Sequence, residues 1–268
     1  MNQASDAISA IQALVLGLVQ GVTEFLPVSS SGHLVIFETL FGVEPDGGLV
    51  FEVALHVATL LAIVVFYRAR IVQLIAGALN GERDAWRYHG KLALATLPAI
   101  AVALLARGAI ERAFDTPQVV GVCLVITAAI LWTSRWTLPR ATAPEPTWLA
   151  ALLIGCAQAM AILPGISRSG STVAAALALG VAPAMAAEFS FLLGVVAIAG
   201  AAVLMLPDAG ALDTSMYTPL AIGFAAALVS GVAAIWLFLR LLERRNFHAF
   251  AAYTAPLGLG FLLYLALR

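Results

Sequence analysis

Six stretches of the chain, roughly 51–67, 92–107, 118–135, 184–206, 218–240 and 249–267, run almost without interruption in Ala, Leu, Ile, Val and Phe. A helix needs about 20 apolar residues to cross the hydrocarbon core, within a range of about 17–25. Each stretch therefore predicts a spanning helix, the shorter ones borrowing their flanks. Two further apolar segments, 8–41 and 148–181, are broken by a proline and a Ser/Gly cluster. Each half of a broken segment is about 12–18 residues, or about 18–27 Å at 1.5 Å per residue, too short to span alone. The pattern predicts a re-entrant helical hairpin in each, its tip near mid-membrane.

The two broken segments are versions of one text. Residues 17–32 read GLVQGVTEFLPVSSSG and residues 155–170 read GCAQAMAILPGISRSG. At an offset of 138, Gly17 meets Gly155, Gln20 meets Gln158, Ser29 meets Ser167, Ser31 meets Ser169 and Gly32 meets Gly170. Lipid cannot satisfy the backbone groups such breaks expose, so each must be buried in protein or line a polar cavity. Matching broken segments in two halves point to a site at a repeat interface. With one hairpin and three spans in each half, the number of crossings per repeat is odd, so the halves are inverted. The expected fold is an all-α integral membrane protein: a single membrane domain over 1–268, with repeat 1 about 8–135 and repeat 2 about 148–267.

Composition agrees: 62% of the 268 residues are hydrophobic and 11% charged, against about half and a quarter in soluble domains. The net charge of −1 offers nothing to a nucleic acid. Loops 68–91, 135–147 and 240–248 carry the Arg and Lys excess and are expected in the cytoplasm. Loops 42–50 (Glu44, Asp46) and 207–217 (Asp208, Asp213) lack bases and are expected outside; loop 108–117 is mixed. Cys123 and Cys156 sit in apolar runs and read as small core residues, not a disulfide. MNQASD at the N-terminus lacks the positive region of a cleavable signal. No pattern decides whether the chain pairs as a homodimer.

Charges inside a membrane are by default functional. Arg168 sits in ISRSGS just before an apparent helix start. A guanidinium fork suits phosphate, Gly and Ser allow close approach, and the free N–H groups of a helix start attract anions. A structural ion pair between the hairpins is the plainer alternative. SSSGH at 29–33 repeats the design. One of its serines is expected to serve only as an N-cap. His33 lies one turn beyond Ser29 and Ser30, within reach of a hydroxyl–imidazole pair. Glu24 needs a cation or donors; it could orient His33, pair with Arg168 or ligate a divalent metal. Gln20, one turn earlier, shares its face. The substrate-binding set is expected to comprise Ser29, Ser31, Gly32, Ser167, Ser169, Gly170, Thr172 and Gln20, around the catalytic Ser30, His33, Glu24 and Arg168. Glu52 and Glu188 read as interface residues or as caps on the hairpin tips. His56 could reach the cavity, while His89 and His248 sit in basic loops with no assigned role.

QGVTEFLPVSSSGH (20–33) and LPGISRSGST (163–172) resemble the two signature segments of the bacterial undecaprenyl-diphosphate phosphatases, the bacitracin-resistance family. FEVALHVATLLAIVV (51–65) and AAEFSFLLGV (186–195) also look like family segments, so the resemblance runs end to end. It implies a multi-pass enzyme of the bacterial plasma (inner) membrane that removes the terminal phosphate of undecaprenyl diphosphate at an outward-facing site. It places the family's first-motif residues on Gln20, Glu24, Ser30 and His33, and its arginine on Arg168. Many members have Glu where this chain has Gln20. The family's divalent cation, Mg²⁺ or Ca²⁺, is likewise implied by resemblance alone, with Glu24 as a ligand. Ser30 is the expected nucleophile and His33 its base; the reverse assignment stays open. The rival class is a flippase or transporter of the polyprenyl phosphate carrier, because inverted repeats with broken helices also describe transporters. A membrane scaffold would explain neither Arg168 nor His33.

Overall fold

The protein is described by a computed structural model covering residues 8–41, 48–205 and 214–268. Glu44, Asp46, Asp208 and Asp213, on which the outside assignment of two loops rests, lie outside the described residues. Apart from one isolated bridge between Ala143 and Val181, the regular structure among the described residues is helical. The α-helices are α1 (Ala10–Phe25), α2 (Ser30–Phe41), α3 (Gly48–Phe66), α4 (Arg68–Leu79), α5 (Arg83–Leu105), α6 (Arg107–Phe114), α7 (Pro117–Thr137), α8 (Trp148–Met160), α9 (Arg168–Ala178), α10 (Pro183–Met205), α11 (Tyr217–Glu243) and α12 (Ala251–Ala266).

Among the described residues, five helices are long and apolar enough to cross a membrane, and a sixth candidate is the α3–α4 pair, bent by 75°. The six expected spans fall on α3, α5, α7, α10, α11 and α12. Two helices appear where loops were expected. α4 occupies much of 68–91 and α6 most of 108–117. Both open on arginine and are too short or too polar to register as spans.

The broken segments fold as paired half-helices. α1 and α2 have 16 and 12 residues, α8 and α9 have 13 and 11. α1 starts on a capping box between Ser9 and Gln12. It ends at Phe25 because Pro27 forces the residue before it out of the helical region; Leu26 is extended at φ −65°, ψ 142°. In the second hairpin the chain turns at Gly165, with φ 93°. A side chain there would strike the backbone of Val120 and the Cβ of Cys123 on α7. Thr127 of α7 stitches this tip in place, donating to the Gly165 carbonyl (2.8 Å) and accepting from the Ser167 amide (3.0 Å).

The first half-helix of each hairpin lies along a long helix of the other half: α1 along α11, and α8 along α5. α7 packs on α12 and α3 on α10. Lipid supplies no hydrophobic drive between helices, so close approach depends on small residues. Gly17 and Gly21 of α1 face Gly223, Ala226, Ala227, Ser230 and Gly231 of α11. Gly155, the repeat partner of Gly17, lies against the Ala95 backbone of α5.

The bundle has two distinct ends. Asp84, Tyr88, Met185 and Glu188, from the starts of α5 and α10, line a pocket at one end together with Arg70 and residues 144–146. The last halves of α5 and α10 line a larger cavity at the other. The first end carries most of the basic residues, including Arg83, Arg87, Arg135, Arg140, Arg240, Arg244 and Arg245. Arg135 lies over Trp132 and Trp136, and Arg240 over Trp236, the pairing of cation and aromatic ring favoured at a membrane interface. Lys91 is not a loop residue; it is buried on α5 and pairs with Glu145 at 3.2 Å. Between the ends sits a chain of edge-to-face rings, Phe25, Phe191, Phe238 and Phe247. Both cysteines are free, as expected. Cys123 is buried, but Cys156 is exposed on α8. Its apolar surroundings in sequence reflect a face turned toward lipid rather than a core.

Candidate active site

The larger cavity, of about 540 Å³, is walled by Glu24 and Ser29–Ser31 of the first hairpin, Ser167 and Arg168 of the second, and Glu52 and His56 of α3. Its outer wall is apolar: Ala99, Ile100, Ala103 and Leu104 of α5, Phe114 of α6, and Val196, Ala197 and Ile198 of α10.

At its floor one carboxylate joins both repeats. Glu24 Oε1 accepts from Arg168 Nη2 at 2.9 Å. Glu24 Oε2 accepts from Ser30 Oγ at 2.8 Å and from Gln20 Nε2 at 3.2 Å. The ion pair is well buried, the Arg168 and Glu24 side chains being 15% and 7% exposed. Ser30 and Arg168 occupy the same repeat position, 138 residues apart, and each opens its half-helix. The turns before them are also alike. Ser29 Oγ accepts from Gly32 N (3.2 Å) and Ser167 Oγ from Gly170 N (3.1 Å), and each touches the serine two residues on, Ser31 or Ser169, at 3.4 Å. Ser29 differs in holding a positive φ of 67°, which costs a non-glycine residue about 1–3 kcal/mol.

The caps occupy the amides of Gly32 and Gly170, so those two groups stabilise the turns rather than face the cavity. Ser169 is buried beside Ser167. Thr172 also departs from expectation. It is fully buried, donates to the Arg168 carbonyl at 2.7 Å, and bonds Ser190 of α10; it braces the start of α9 from behind. The larger departure concerns His33. The expected hydroxyl–imidazole pair is not formed, because Ser30 turns to Glu24. His33 Nδ1 meets the Ser29 carbonyl at 2.7 Å, and Nε2 meets the Tyr253 hydroxyl at 2.8 Å. A carbonyl can only accept, so Nδ1 carries the proton, and the neutral ring's one lone pair, on Nε2, is engaged by the phenol. His33 thus ties the strained Ser29 turn to α12 and does not wall the cavity. Glu188 lies at the opposite end, paired with Arg70 at 2.9 Å and accepting from Tyr88 at 3.2 Å. Glu52 does wall the cavity, so the two glutamates do not share a role.

Three residues add to the sequence reading. Gln158, repeat partner of Gln20, walls the cavity while both polar atoms of its buried side chain lack a hydrogen-bond partner among the described residues. Its place in the repeat was the available signal. Gly194 on α10 makes room for the Arg168 guanidinium, which a Cβ there would strike; nothing in the local pattern marks it. Tyr253, 220 residues from His33, is equally silent in sequence.

The floor offers no all-protein cage for a resident divalent cation. Both oxygens of Glu24 are committed to Arg168, Ser30 and Gln20, and no group of three His, Cys, Asp or Glu residues converges among the described residues. Ca²⁺ takes about 6–8 oxygens, and Mg²⁺ with so few protein ligands depends on waters and substrate phosphates to complete its shell.

The Glu24–Arg168 pair implies an asymmetric response to mutation. Glu24→Gln leaves a buried guanidinium without its counter-charge and is expected to destabilise the protein in detergent by on the order of 3 kcal/mol. Adding Arg168→Gln should restore part of that loss in unfolding temperature. A double variant as unstable as the sum of the singles would show the two side chains to be independent.

The Bacitracin resistance protein BacA family matches residues 13–260. A protein of Alcanivorax borkumensis named undecaprenyl-diphosphatase is 39% identical over 95% of this chain and 98% of its own length. Proteins of the same name from Methanosphaera stadtmanae and Bordetella avium are each 36% identical, over 93% and 96% of this chain and 95% and 97% of their own. The signature segments carry the cavity floor just described, and the match extends over nearly the whole chain: the protein belongs to the bacitracin-resistance (BacA) family.

Proposed function

We propose that the protein is a membrane phosphatase that converts undecaprenyl diphosphate to undecaprenyl phosphate, recycling the lipid carrier of cell-wall synthesis. The observation that carries this reading is the floor of the cavity, where the Ser30 hydroxyl and the Arg168 guanidinium share the two oxygens of Glu24. A nucleophile, a proton acceptor and a phosphate-binding cation stand together under an apolar wall suited to a prenyl chain. Family membership and the names of the relatives support the same substrate.

The mechanism follows from the contacts. Arg168 turns its fork to the diphosphate, and the free N–H groups opening α2 and α9 add partial positive charge. Ser30 Oγ attacks the terminal phosphorus while its proton passes along the existing hydrogen bond to Glu24 Oε2. The bond from that phosphorus to the bridging oxygen breaks, and the lipid monophosphate leaves. Phosphoryl transfer of this kind is mostly positioning and charge stabilisation. His33 acts as a positioning residue through Ser29 and Tyr253.

The inverted repeat belongs to the same proposal. Exchanging the two halves carries the α1–α11 contact onto α8–α5, and leaves the α7–α12 and α3–α10 contacts in place. The basic end supports a cytoplasmic placement for α4 and the starts of α5 and α10. The cavity, at the other end, would then open outside the inner membrane. The transport reading needs access from both faces, and the aromatic chain between the two ends counts against it.

Detergent-solubilised protein is expected to release phosphate from undecaprenyl diphosphate. Ser30→Ala and Arg168→Lys should each lower turnover by about 10²-fold or more, Lys keeping the charge but not the bidentate fork. Near-wild-type turnover in either variant would remove that residue from the reaction. Orientation has its own test, in a background without Cys123 and Cys156. An impermeant thiol reagent on intact cells should label Arg112→Cys on α6 and spare Arg83→Cys; the opposite labelling would turn the cavity to the cytoplasm.

A further inference from the structure

The phosphatase reading leaves the second half of the reaction without a base. His33 does not wall the cavity, and its ring nitrogens are held by Ser29 and Tyr253. Glu24 has taken up the serine proton in the first half. The cavity does contain an imidazole, that of His56. It lies one turn beyond Glu52 on the same face of α3, and both side chains wall the cavity with Ser30, Glu24 and Arg168. His56 Nδ1 lies 2.9 Å from the Glu52 carbonyl. A carbonyl only accepts, so Nδ1 bears the hydrogen, and in the neutral ring Nε2 bears the lone pair. Nε2 has no hydrogen-bond partner among the described residues.

From this geometry, and resting on the phosphatase reading above, we infer that His56 is a catalytic residue: the base that activates water against the phosphoserine at Ser30. Nε2 takes a proton from the water, whose oxygen forms the new bond to phosphorus. The bond from phosphorus to Ser30 Oγ breaks, and Oγ recovers the proton held by Glu24. The proton on His56 returns to solvent through the open end of the cavity. The charged and titratable groups around the ring are Glu24 from α1, Glu52 from its own helix and Arg168 from α9; α10 presents apolar residues to the cavity. The fixed tautomer is what a one-proton relay needs, and positioned bases of this kind contribute about 10²–10⁴-fold.

The test uses the full chain in detergent with undecaprenyl diphosphate labelled in its terminal phosphate. His56→Asn keeps an N–H for the Glu52 carbonyl but has no base; His56→Ala removes both. Both variants are expected to lose about 10²-fold or more in kcat with little change in KM or unfolding temperature. Acid-stable label should accumulate on Ser30, and imidazole in the buffer should recover part of the His56→Ala activity. Turnover of His56→Asn within a few-fold of the unsubstituted chain would overturn the inference, reducing His56 to a helix contact. A loss without trapped label or recovery by imidazole would overturn it as well. Those outcomes leave the phosphatase reading standing. Failure of the unsubstituted chain to release phosphate would overturn both.

Discussion

Glu24 is the carboxylate on which both hairpins converge. An ionised group at this depth needs a partner, and Glu24 finds three, two from its own hairpin and Arg168 from the other repeat. The contact fixes how the two tips meet, because neither Glu24 nor Arg168 can be left unpaired cheaply. It also divides the work. Ser30 and Arg168 are the same position in two copies of one motif, yet one is a hydroxyl and the other a cation. Glu24 has no acidic counterpart, since Ile162 stands at its repeat position. Two copies of a single design thereby yield a floor with a hydroxyl on one side and a cation on the other.

The surroundings serve that contact. Small residues let α1 and α8 lie directly on long helices of the opposite half, so that the half-helices reach each other inside the bundle. Thr127 fixes one tip, and the contact of His33 with Tyr253 fixes the other. Gly194 leaves room for the guanidinium. A run of edge-to-face rings leads from Phe25, next to Glu24, through Phe191 and Phe238 to Phe247, next to the basic residues Arg244 and Arg245. What remains open is a cavity polar at its floor and apolar at its wall, the shape required by a substrate with a charged head and a hydrocarbon tail.

Much of this was legible in the chain because its causes are local. The broken segments declared themselves through Pro27 and Pro164, which forbid a continuous helix, and through the serines that cap the restart. Arg168 and Glu24 stood out because lipid makes lone charges costly. The choice of partner was not legible. Spacing put His33 within reach of Ser30, but spacing does not decide which neighbour a hydroxyl turns to, and the acceptor was Glu24. Tyr253 and Gly194 act across the fold, at separations no periodicity records. α4 and α6 went unseen because short helices with charged ends resemble loops in composition.

The account's central claim is that the Ser30–Glu24–Arg168 floor is the phosphoryl site. Its most direct test is an experimental structure of the full chain with orthovanadate, which imitates a phosphoryl group in transfer. The account predicts vanadate bound beside Ser30 Oγ, with the Arg168 fork and the amides opening α2 and α9 around its oxygens. Vanadate held instead by Arg70 at the opposite end, with the Glu24 floor empty, would contradict it.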